Sequence, residues 1–379
     1  MLIKELANIN PEELMEFLSG LFNSIQSWLL PGLEDEFGEL TSKQAEFIRT
    51  VELINPLEFI DKYDWKGVGR KPSDRLCLLK AFIAKPIHNF TQTAMLIDAV
   101  GNSPVLRRLC GWESRNEIPS EATFSRAFSL FAETELPQRI HDAMISKNIG
   151  HKLFGHKSTD STSVKGREKA CRKNTKKVKM KSKRGRPKKG VIIEKVPRRL
   201  ELQPKRTLDE NLSDLPYGCD WGVKKNSKGK TYKWRGYKLH LDCVDGDIPV
   251  SAIVTSASVH DSQVAIPLSQ MSEDRIVNLY DLMDAAYDAP EIHSYSKDHN
   301  RIPIIDHNPR KGIKKQMCPA KAIRYNERSG AERVNSELKD NYALESLRVR
   351  GQKKVACQIM FAVIAHTAKK IFNLLPQTV

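Results

Sequence analysis

The chain has 379 residues, enough for two or three domains, and a formal net charge of +16. It contains no apolar run of about 18 residues and no N-terminal stretch of the signal-peptide type, which predicts a soluble cytoplasmic protein without membrane contacts. The seven cysteines are scattered without a CxxC pair, which argues against a disulfide framework and against a zinc ribbon.

The excess positive charge lies in one segment. Residues 165–206 contain 19 Lys and Arg and three Glu, a balance of +16, so the rest of the chain is neutral overall. Inside this segment, residues 183–189 read Lys-Arg-Gly-Arg-Pro-Lys-Lys and resemble an AT-hook, whose Arg184 and Arg186 would enter a narrow A·T minor groove. A simple polybasic linker is the alternative. In both cases the segment is predicted to bind a polyanion and to be disordered without DNA.

Residues 1–150 are predicted to form an all-helical N-terminal domain. Helix starts are indicated near Pro11, Thr41, Ser73, Thr91 and Ser120. Because Pro and Gly separate these short helices, they predict a compact bundle, which serves either DNA binding or only packing and dimerisation.

Residues 151–379 are predicted to form a second, α/β domain that carries the basic insertion at 165–230. A β-prone segment at 151–164 contains Asp160, and a hairpin at 232–255 turns at Asp245 and Gly246. A short apolar strand ending at Met283 places Asp284 at its carboxyl end. Helices near 262 and 289, a strand at 302–306 and a long apolar helix at 355–375 complete the predicted mixed α/β order.

One predicted helix near the C-terminus carries a polar stripe. Tyr325, Arg328, Glu332 and Lys339 are separated by three, four and seven residues, which places them within roughly 60° of one another on a helix. A carboxylate beside a guanidinium, an ammonium and a phenol suits a site that holds a metal and a phosphate together. The alternative is a solvated helix with internal Glu-Arg ion pairs.

This spacing resembles the Tyr-Arg-Glu-Lys signature of bacterial insertion-sequence transposases with a DDE catalytic domain. The resemblance implies an RNase H-like mixed sheet with flanking helices, and it implies that the N-terminal bundle recognises terminal inverted repeats. Asp160, Asp284 and Glu332 match the family's three catalytic carboxylates. Oxygen-only ligation of this kind suits two Mg²⁺ or Mn²⁺ ions, so the same three residues are the expected metal ligands.

Other side chains are expected to contact DNA. Arg328 and Lys339 are predicted to bind phosphates, and Tyr325 either hydrogen-bonds a phosphate or stacks on a displaced base. Lys238 is a further candidate DNA contact, although a hairpin face satisfied within the protein is an equal alternative. No zinc-type His and Cys spacing and no Walker-type loop occurs.

Three other acidic residues compete for the second catalytic position. Asp288 has the spacing of a capping box with Glu291. Asp281 would point to the face opposite Asp284 if the strand alternates regularly, and Asp261 would either line the site or cap a helix.

The resulting hypothesis is a transposase that hydrolyses DNA at insertion-sequence ends and joins the freed 3′ hydroxyls to target DNA. It would work as a homodimer or larger synaptic complex on the nucleoid. A catalytically inactive, transposase-derived DNA-binding protein is the second hypothesis, and a non-transposing nuclease is the third. The sequence leaves open the inverted repeats, the target preference, the excision intermediate and whether the element is still mobile.

Overall fold

The structure is a computed structural model and describes five ranges of the chain: 29–63, 65–171, 197–225, 229–310 and 312–374. The helix predicted near Pro11 and the AT-hook-like arginines, Arg184 and Arg186, lie outside these ranges.

Helices come first in the described chain. They are α1 Leu30–Phe37, α2 Ser42–Ile54, α3 Arg75–Ile87, α4 Thr93–Asn102, α5 Pro104–Cys110, α6 Glu121–Glu133 and α7 Leu136–Ile149. The predicted starts near 41, 73, 91 and 120 are confirmed to within two residues. At α2, Thr41 and Gln44 exchange bonds in a capping box, and the Asp74 carboxylate accepts a hydrogen bond from the Leu76 amide at 2.7 Å to start α3.

A mixed six-stranded sheet follows. Its order is β2-β3-β1-β5-β6, with β4 paired to β3. The strands are β1 Leu153–Lys165, β2 Asp220–Lys225, β3 Thr231–Val244, β4 Ile248–Ser256, β5 Val277–Met283 and β6 Ile302–Ile305. Strands β1 to β4 pair antiparallel, whereas β5 pairs parallel with both β1 and β6. The predicted fold class, an RNase H-like mixed sheet with flanking helices, agrees with this topology.

The strand predicted to begin after the basic insertion is preceded by structure that the sequence did not predict. Structure was expected to resume near Thr231, but it resumes at α8 Arg199–Leu202 and α9 Leu208–Asp214, and β2 joins the sheet. The prediction was wrong because these elements are short and stabilised by tertiary contacts. Arg199, for example, donates to the Asp214 carboxylate at 2.7 Å and to the Gln263 side chain at 2.5 Å.

Helices cover both faces of the sheet. They are α10 Ser262–Glu273, α11 Pro290–Asp298, α12 Pro319–Tyr325, α13 Ser329–Asn341 and α14 Gln352–Leu374. The side chains of β1 alternate between a face that meets α10, where Lys157 Nζ donates to Ser269 at 2.7 Å, and a face that meets the α13 segment, where Ser158 donates to the Glu327 carbonyl at 3.2 Å.

The last helix joins the N-terminal helices to the sheet. α14 packs against α2, α3, α6, α7 and β4, and the Phe82 and Phe361 rings stack with centroids 6.1 Å apart. By length and apolar composition α14 could span a membrane, but 89% of its most apolar window is buried inside the protein. Its apolar character is therefore explained by its position as the central helix of the core. The chain changes from helices to strands between Ile149 and Leu153.

Candidate active site

Two of the three predicted catalytic carboxylates lie on neighbouring strands: Asp160 within β1, and Asp284 directly after the last residue of β5. Strand β5 runs parallel to β1, and the last pair in their register is Thr159 with Met283. Asp160 is the next residue of β1, and Asp284 is the residue directly after β5. Burial raises the pKa of Asp160, and the negative charge of the Asp284 carboxylate raises it further, as expected for two neighbouring acidic groups.

Asp160 is held by the helix on its face of the sheet. Its Oδ2 accepts a hydrogen bond from Asn335 Nδ2 of α13 at 2.9 Å. Burial raises the pKa of the Asp160 carboxyl to about 6, because a desolvated carboxyl favours its neutral form; Lys224, the Ser161 amide and Asn335 act in the opposite direction. The charged form therefore needs nearby positive charge, which a bound cation would provide.

Asp284 begins the 3₁₀ turn Ala285–Tyr287 that follows β5. Its carboxylate accepts from the Ala286 amide at 2.8 Å, which orients it at the strand end. Burial raises its pKa and the Asp261 carboxylate does the same, whereas the Ala286 bond, Arg328 and Lys224 lower it. Two acidic groups with raised pKa values in one place are typical of a site that binds cations.

The third carboxylate stands apart in this structure. Glu332 lies in the first turn of α13, where its Oε1 accepts from Arg328 Nη2 at 2.7 Å and its side chain is 53% exposed. The internal Glu-Arg ion pair, which the alternative of a solvated helix predicted, is thus present. Asn335, one turn later, contacts Asp160, so the helix presents this side to the site.

The signature residues do not share one regular α-helix. Tyr325 ends α12, the turn Asn326–Arg328 is 3₁₀, and α13 starts at Ser329. The tighter turn brings the Arg328 guanidinium over the Tyr325 ring, 5.3 Å from its centroid. Lys339 lies half-buried at the other end of α13, where burial lowers its pKa and Asp160 raises it. Arg328 and Lys339 thus act electrostatically on Asp160, and Tyr325 on Asp284, whereas Glu332 bonds Arg328.

Asp281, a rival for the second catalytic position, is excluded by its packing. It lies on the opposite face of the sheet, completely buried, where Lys157 Nζ is 3.2 Å and Arg301 Nε 2.9 Å from its carboxylate oxygens. The opposite ionic partners stabilise its charge, and Asp242 shares Lys157 at 3.0 Å. This buried network joins β1, β3 and β5 on the face of the sheet opposite Asp160 and Asp284.

Asp288, the second rival, does not form the expected capping box. Its carboxylate accepts from the Asn308 amide at 2.9 Å and lies 3.0 Å from His293 Nε2, while the N-cap of α11 is Ala289. The prediction of a capping box with Glu291 was wrong because the Asp288 carboxylate is instead bonded to the Asn308 amide in the loop after β6.

Lys238 is engaged inside the protein. Its Nζ donates to Asp261 Oδ1 at 2.7 Å and to the Val259 carbonyl at 2.8 Å. The arrangement matches the alternative of a satisfied hairpin face more closely than a DNA contact. Asp261, held in this way, stays near Asp284 as a further acidic group at the edge of the site.

The described residues contain no group of three or more His, Cys, Asp and Glu side chains arranged to hold a metal ion. The oxygens present nevertheless suit a hard cation. Asp160 and Asp284 occupy adjacent positions on neighbouring strands, and the buried Oδ1 of Asn335, whose Nδ2 bonds Asp160, has no hydrogen-bond partner within the described ranges. Glu332 would complete the set only by leaving Arg328.

Two residues at the site were missed by the sequence analysis. Asn335 lies three residues after Glu332, a spacing that puts both on one helical side, and this could have been used. Lys224 gave no periodic signal, yet its charge acts on both Asp160 and Asp284. Only the folding of β2 beside β3 reveals it.

Comparison with known families agrees with this geometry. Residues 156–368, more than half of the chain, match the family described as "Transposase DDE domain", and residues 36–130 match "Transposase domain (DUF772)". No curated protein and no solved structure matches the chain. DDE transposases act on DNA and as a family use divalent metal ions. The chain therefore belongs to the DNA transposases with a DDE domain.

Proposed function

We propose that this transposase hydrolyses phosphodiester bonds at insertion-sequence ends and joins the freed 3′ hydroxyls to target DNA. Asp160, Asp284 and Glu332 are the proposed catalytic carboxylates and the ligands of two divalent ions, Mg²⁺ or Mn²⁺. One observation carries the proposal: Asp160 of β1 and Asp284 directly after β5 follow the last residue pair of two parallel strands, and Asn335 of the helix that carries Glu332 hydrogen-bonds Asp160.

Each residue has a defined part in the proposal. When bound, the ions would activate the attacking oxygen and stabilise the leaving one. Asp160 and Asp284 approach from the rigid sheet, which fixes their separation. Asn335 holds the Asp160 carboxylate, and Glu332 approaches from a packed helix. Tyr325, Arg328 and Lys339 flank the carboxylates and bind the backbone of the transposon end.

The proposed catalytic step requires the Arg328–Glu332 ion pair to separate. Arg328 bonds Glu332 in the structure, whereas the proposal needs Glu332 on a cation and Arg328 on a phosphate. A DNA phosphate competes for the guanidinium and a cation competes for the carboxylate, so binding of both separates the pair. We infer that the side chains rearrange when DNA and metal bind together.

The same ion pair is the observation that favours a second candidate function. If Glu332 stays bound to Arg328, the chain is a transposase-derived DNA-binding protein without activity. The assembly on DNA is proposed to be a homodimer or larger synaptic complex that engages the two transposon ends, with the N-terminal helices and the basic segment as further DNA contacts.

A cleavage assay separates these functions. The substrate is a DNA duplex that contains the element's terminal inverted repeats, taken from the sequence flanking its gene, incubated with the full chain and Mg²⁺. Glu332→Gln is expected to reduce the cleavage rate by about a thousandfold, because losing one metal-binding charge removes several kcal/mol of transition-state stabilisation. Glu327→Gln, an exposed change in the preceding turn, is the matched control.

Each result has a distinct meaning. Undiminished cutting by the Glu332→Gln protein would discard the site assignment. A wild-type protein that binds the ends without cutting them would support the inactive DNA-binding alternative, and cutting without joining would indicate a nuclease.

A further inference from the structure

A two-stranded ribbon extends from the sheet. Strand β2 pairs with the first half of β3 in a register that sets Lys224 opposite Tyr232 and Asp220 opposite Gly236. The pairing of β3 with β1 starts only at Gly236, and its pairing with β4 at Tyr237. Residues 231–235 therefore pair with β2 alone among the described strands, and this ribbon is an addition to the mixed sheet.

The root of the ribbon is fixed by a glycine. Gly236 has φ +152°, and a Cβ added there would lie 2.1 Å from the Val164 carbonyl oxygen. Only glycine allows β3 to run this close to β1 while changing direction. The ribbon can consequently leave the plane of the sheet at this point.

Side-chain contacts hold the ribbon near the end of α13. The Tyr232 side chain hydrogen-bonds Lys165 at the end of β1. Lys165 also pairs with Glu345 in the turn after α13. Lys224, directly across from Tyr232, acts electrostatically on Asp160, Asp284 and Lys339. The ribbon thus brings the positive charge of Lys224 close enough to act on both candidate catalytic aspartates.

The ribbon's side chains suit a nucleic-acid strand. Tyr232 is 45% exposed and stacks on Trp234 with centroids 5.9 Å apart and an interplanar angle of 16°. An exposed aromatic surface beside a lysine is the combination that binds single-stranded DNA, since bases stack on rings and lysine binds phosphate. The Lys224 side chain is exposed, so its ammonium can reach a phosphate.

We propose that the β2–β3 ribbon is a second DNA-contacting element of the catalytic face, with Lys224 on a backbone phosphate and Tyr232 under an unpaired base next to the cleaved bond. The inference rests on the proposed function, because the DNA is taken to be a transposon end. It adds a surface for a DNA strand that the four signature residues do not include. The partner is a locally unpaired DNA strand.

The register supplies a matched control. Lys233 is an exposed lysine on the same ribbon, but it pairs with Val223 and therefore projects from the opposite face to the Lys224–Tyr232 pair. If general positive charge on the ribbon were sufficient for binding, Lys224→Ala and Lys233→Ala would weaken it equally.

Binding is measured with the full chain and a duplex that carries the transposon end with three unpaired nucleotides, without Mg²⁺, at several salt concentrations. Lys224→Ala is expected to weaken binding roughly fivefold and to reduce the slope of log K against log [salt] by about one, because one phosphate contact is lost. Lys224→Arg should restore most of the affinity, and Lys233→Ala should leave both quantities unchanged.

The aromatic part has its own measurement. With 2-aminopurine as the unpaired base, wild type and Tyr232→Phe are expected to quench its fluorescence, and Tyr232→Ala is not. Equal slopes for wild type, Lys224→Ala and Lys233→Ala would overturn the ribbon inference. So would a Lys224→Ala protein whose only change is its Mg²⁺ requirement for cleavage. Because the salt dependence and the fluorescence quenching are binding measurements, they stay informative even if the wild type does not cut DNA.

Discussion

A single amide side chain connects the helix of Glu332 to the first catalytic strand. Asn335 Nδ2 donates to Asp160, and its own Oδ1 is buried without a partner in the described structure. The bond favours the charged form of Asp160, which is the form that binds a cation. Asn335 is thus a positioning residue for the proposed metal site.

Replacing this amide should change metal affinity more than DNA affinity. Asn335→Ala is expected to raise the Mg²⁺ concentration for half-maximal cleavage about tenfold, as is typical when the partner of a metal ligand is lost. A magnesium titration of the cleavage rate measures this, with DNA binding measured in parallel.

Ser336→Ala is the control, because Ser336 is exposed on the same helix and its hydroxyl donates to the Asp340 carboxylate, not to Asp160. An unchanged magnesium requirement in the Asn335→Ala protein would remove the positioning role.

At the scale of elements, the packing of α3 against α14 contains an unusual lysine. Lys85 is 4% exposed and lies among Phe82, Phe128 and Phe361; within the described ranges no carboxylate pairs with it. Its Nζ lies 6.0 Å from the centroid of the Phe128 ring. Burial lowers the pKa of Lys85 to about 8, because the charged form loses its hydration.

Lys85→Met should therefore stabilise the protein at pH 7. Below pH 8 the lysine is charged in both the folded and the unfolded state, and the folded state bears the full cost of desolvation, which the lowering of the pKa from 10.5 to about 8 sets at about 3 kcal/mol. Between pH 8 and about 10.5 only the unfolded state is protonated, so the wild type gains stability and the advantage of the variant disappears.

Urea unfolding at pH 7 and pH 10 measures the difference between the two proteins. Lys80→Met, on the same helix but partly exposed, should show no such pH-dependent gain. A Lys85→Met protein that is less stable at pH 7 would contradict the interpretation and indicate an unrecognised role for the ammonium.

At the scale of the whole molecule, the excess positive charge is concentrated in a segment that lies largely between two ranges of the described structure. Residues 172–196 contain 12 Lys and Arg and one Glu, and they include Arg184 and Arg186. The described chain on either side is anchored: the Cys171 amide bonds the Cys219 carbonyl at 2.7 Å, and α8 begins at Arg199. The basic segment can thus be removed without cutting a helix or strand of the described structure.

Replacing residues 172–196 with a Gly-Ser linker of equal length should leave folding intact and flatten the dependence of log K on log [salt] for duplex DNA. The reason is that fewer counterions are released when fewer lysines and arginines contact phosphates. Binding isotherms from 50 to 300 mM salt test this. An unchanged slope would exclude the segment as a source of general DNA affinity.

Much of the fold could be predicted because its signals are local. The helix start at Thr41 follows from its capping side chain, and the strand before Asp284 follows from a short apolar run. The spacing from Tyr325 to Lys339, which carries the family resemblance, is also contained in one short stretch of sequence. Strand β2 and Lys224 had no such signal, because a short exposed strand is defined by its partner.

The sequence by itself determined the class of protein, the order of the longer helices and strands, and the three candidate carboxylates, since these depend on residue type and spacing along the chain. Only the tertiary structure decided that Asp281 is locked behind the sheet, that Asn335 and Lys224 stand at the site, and that Glu332 is bound to Arg328. Those outcomes depend on which strands pair and which face each side chain takes, and long-range packing fixes both.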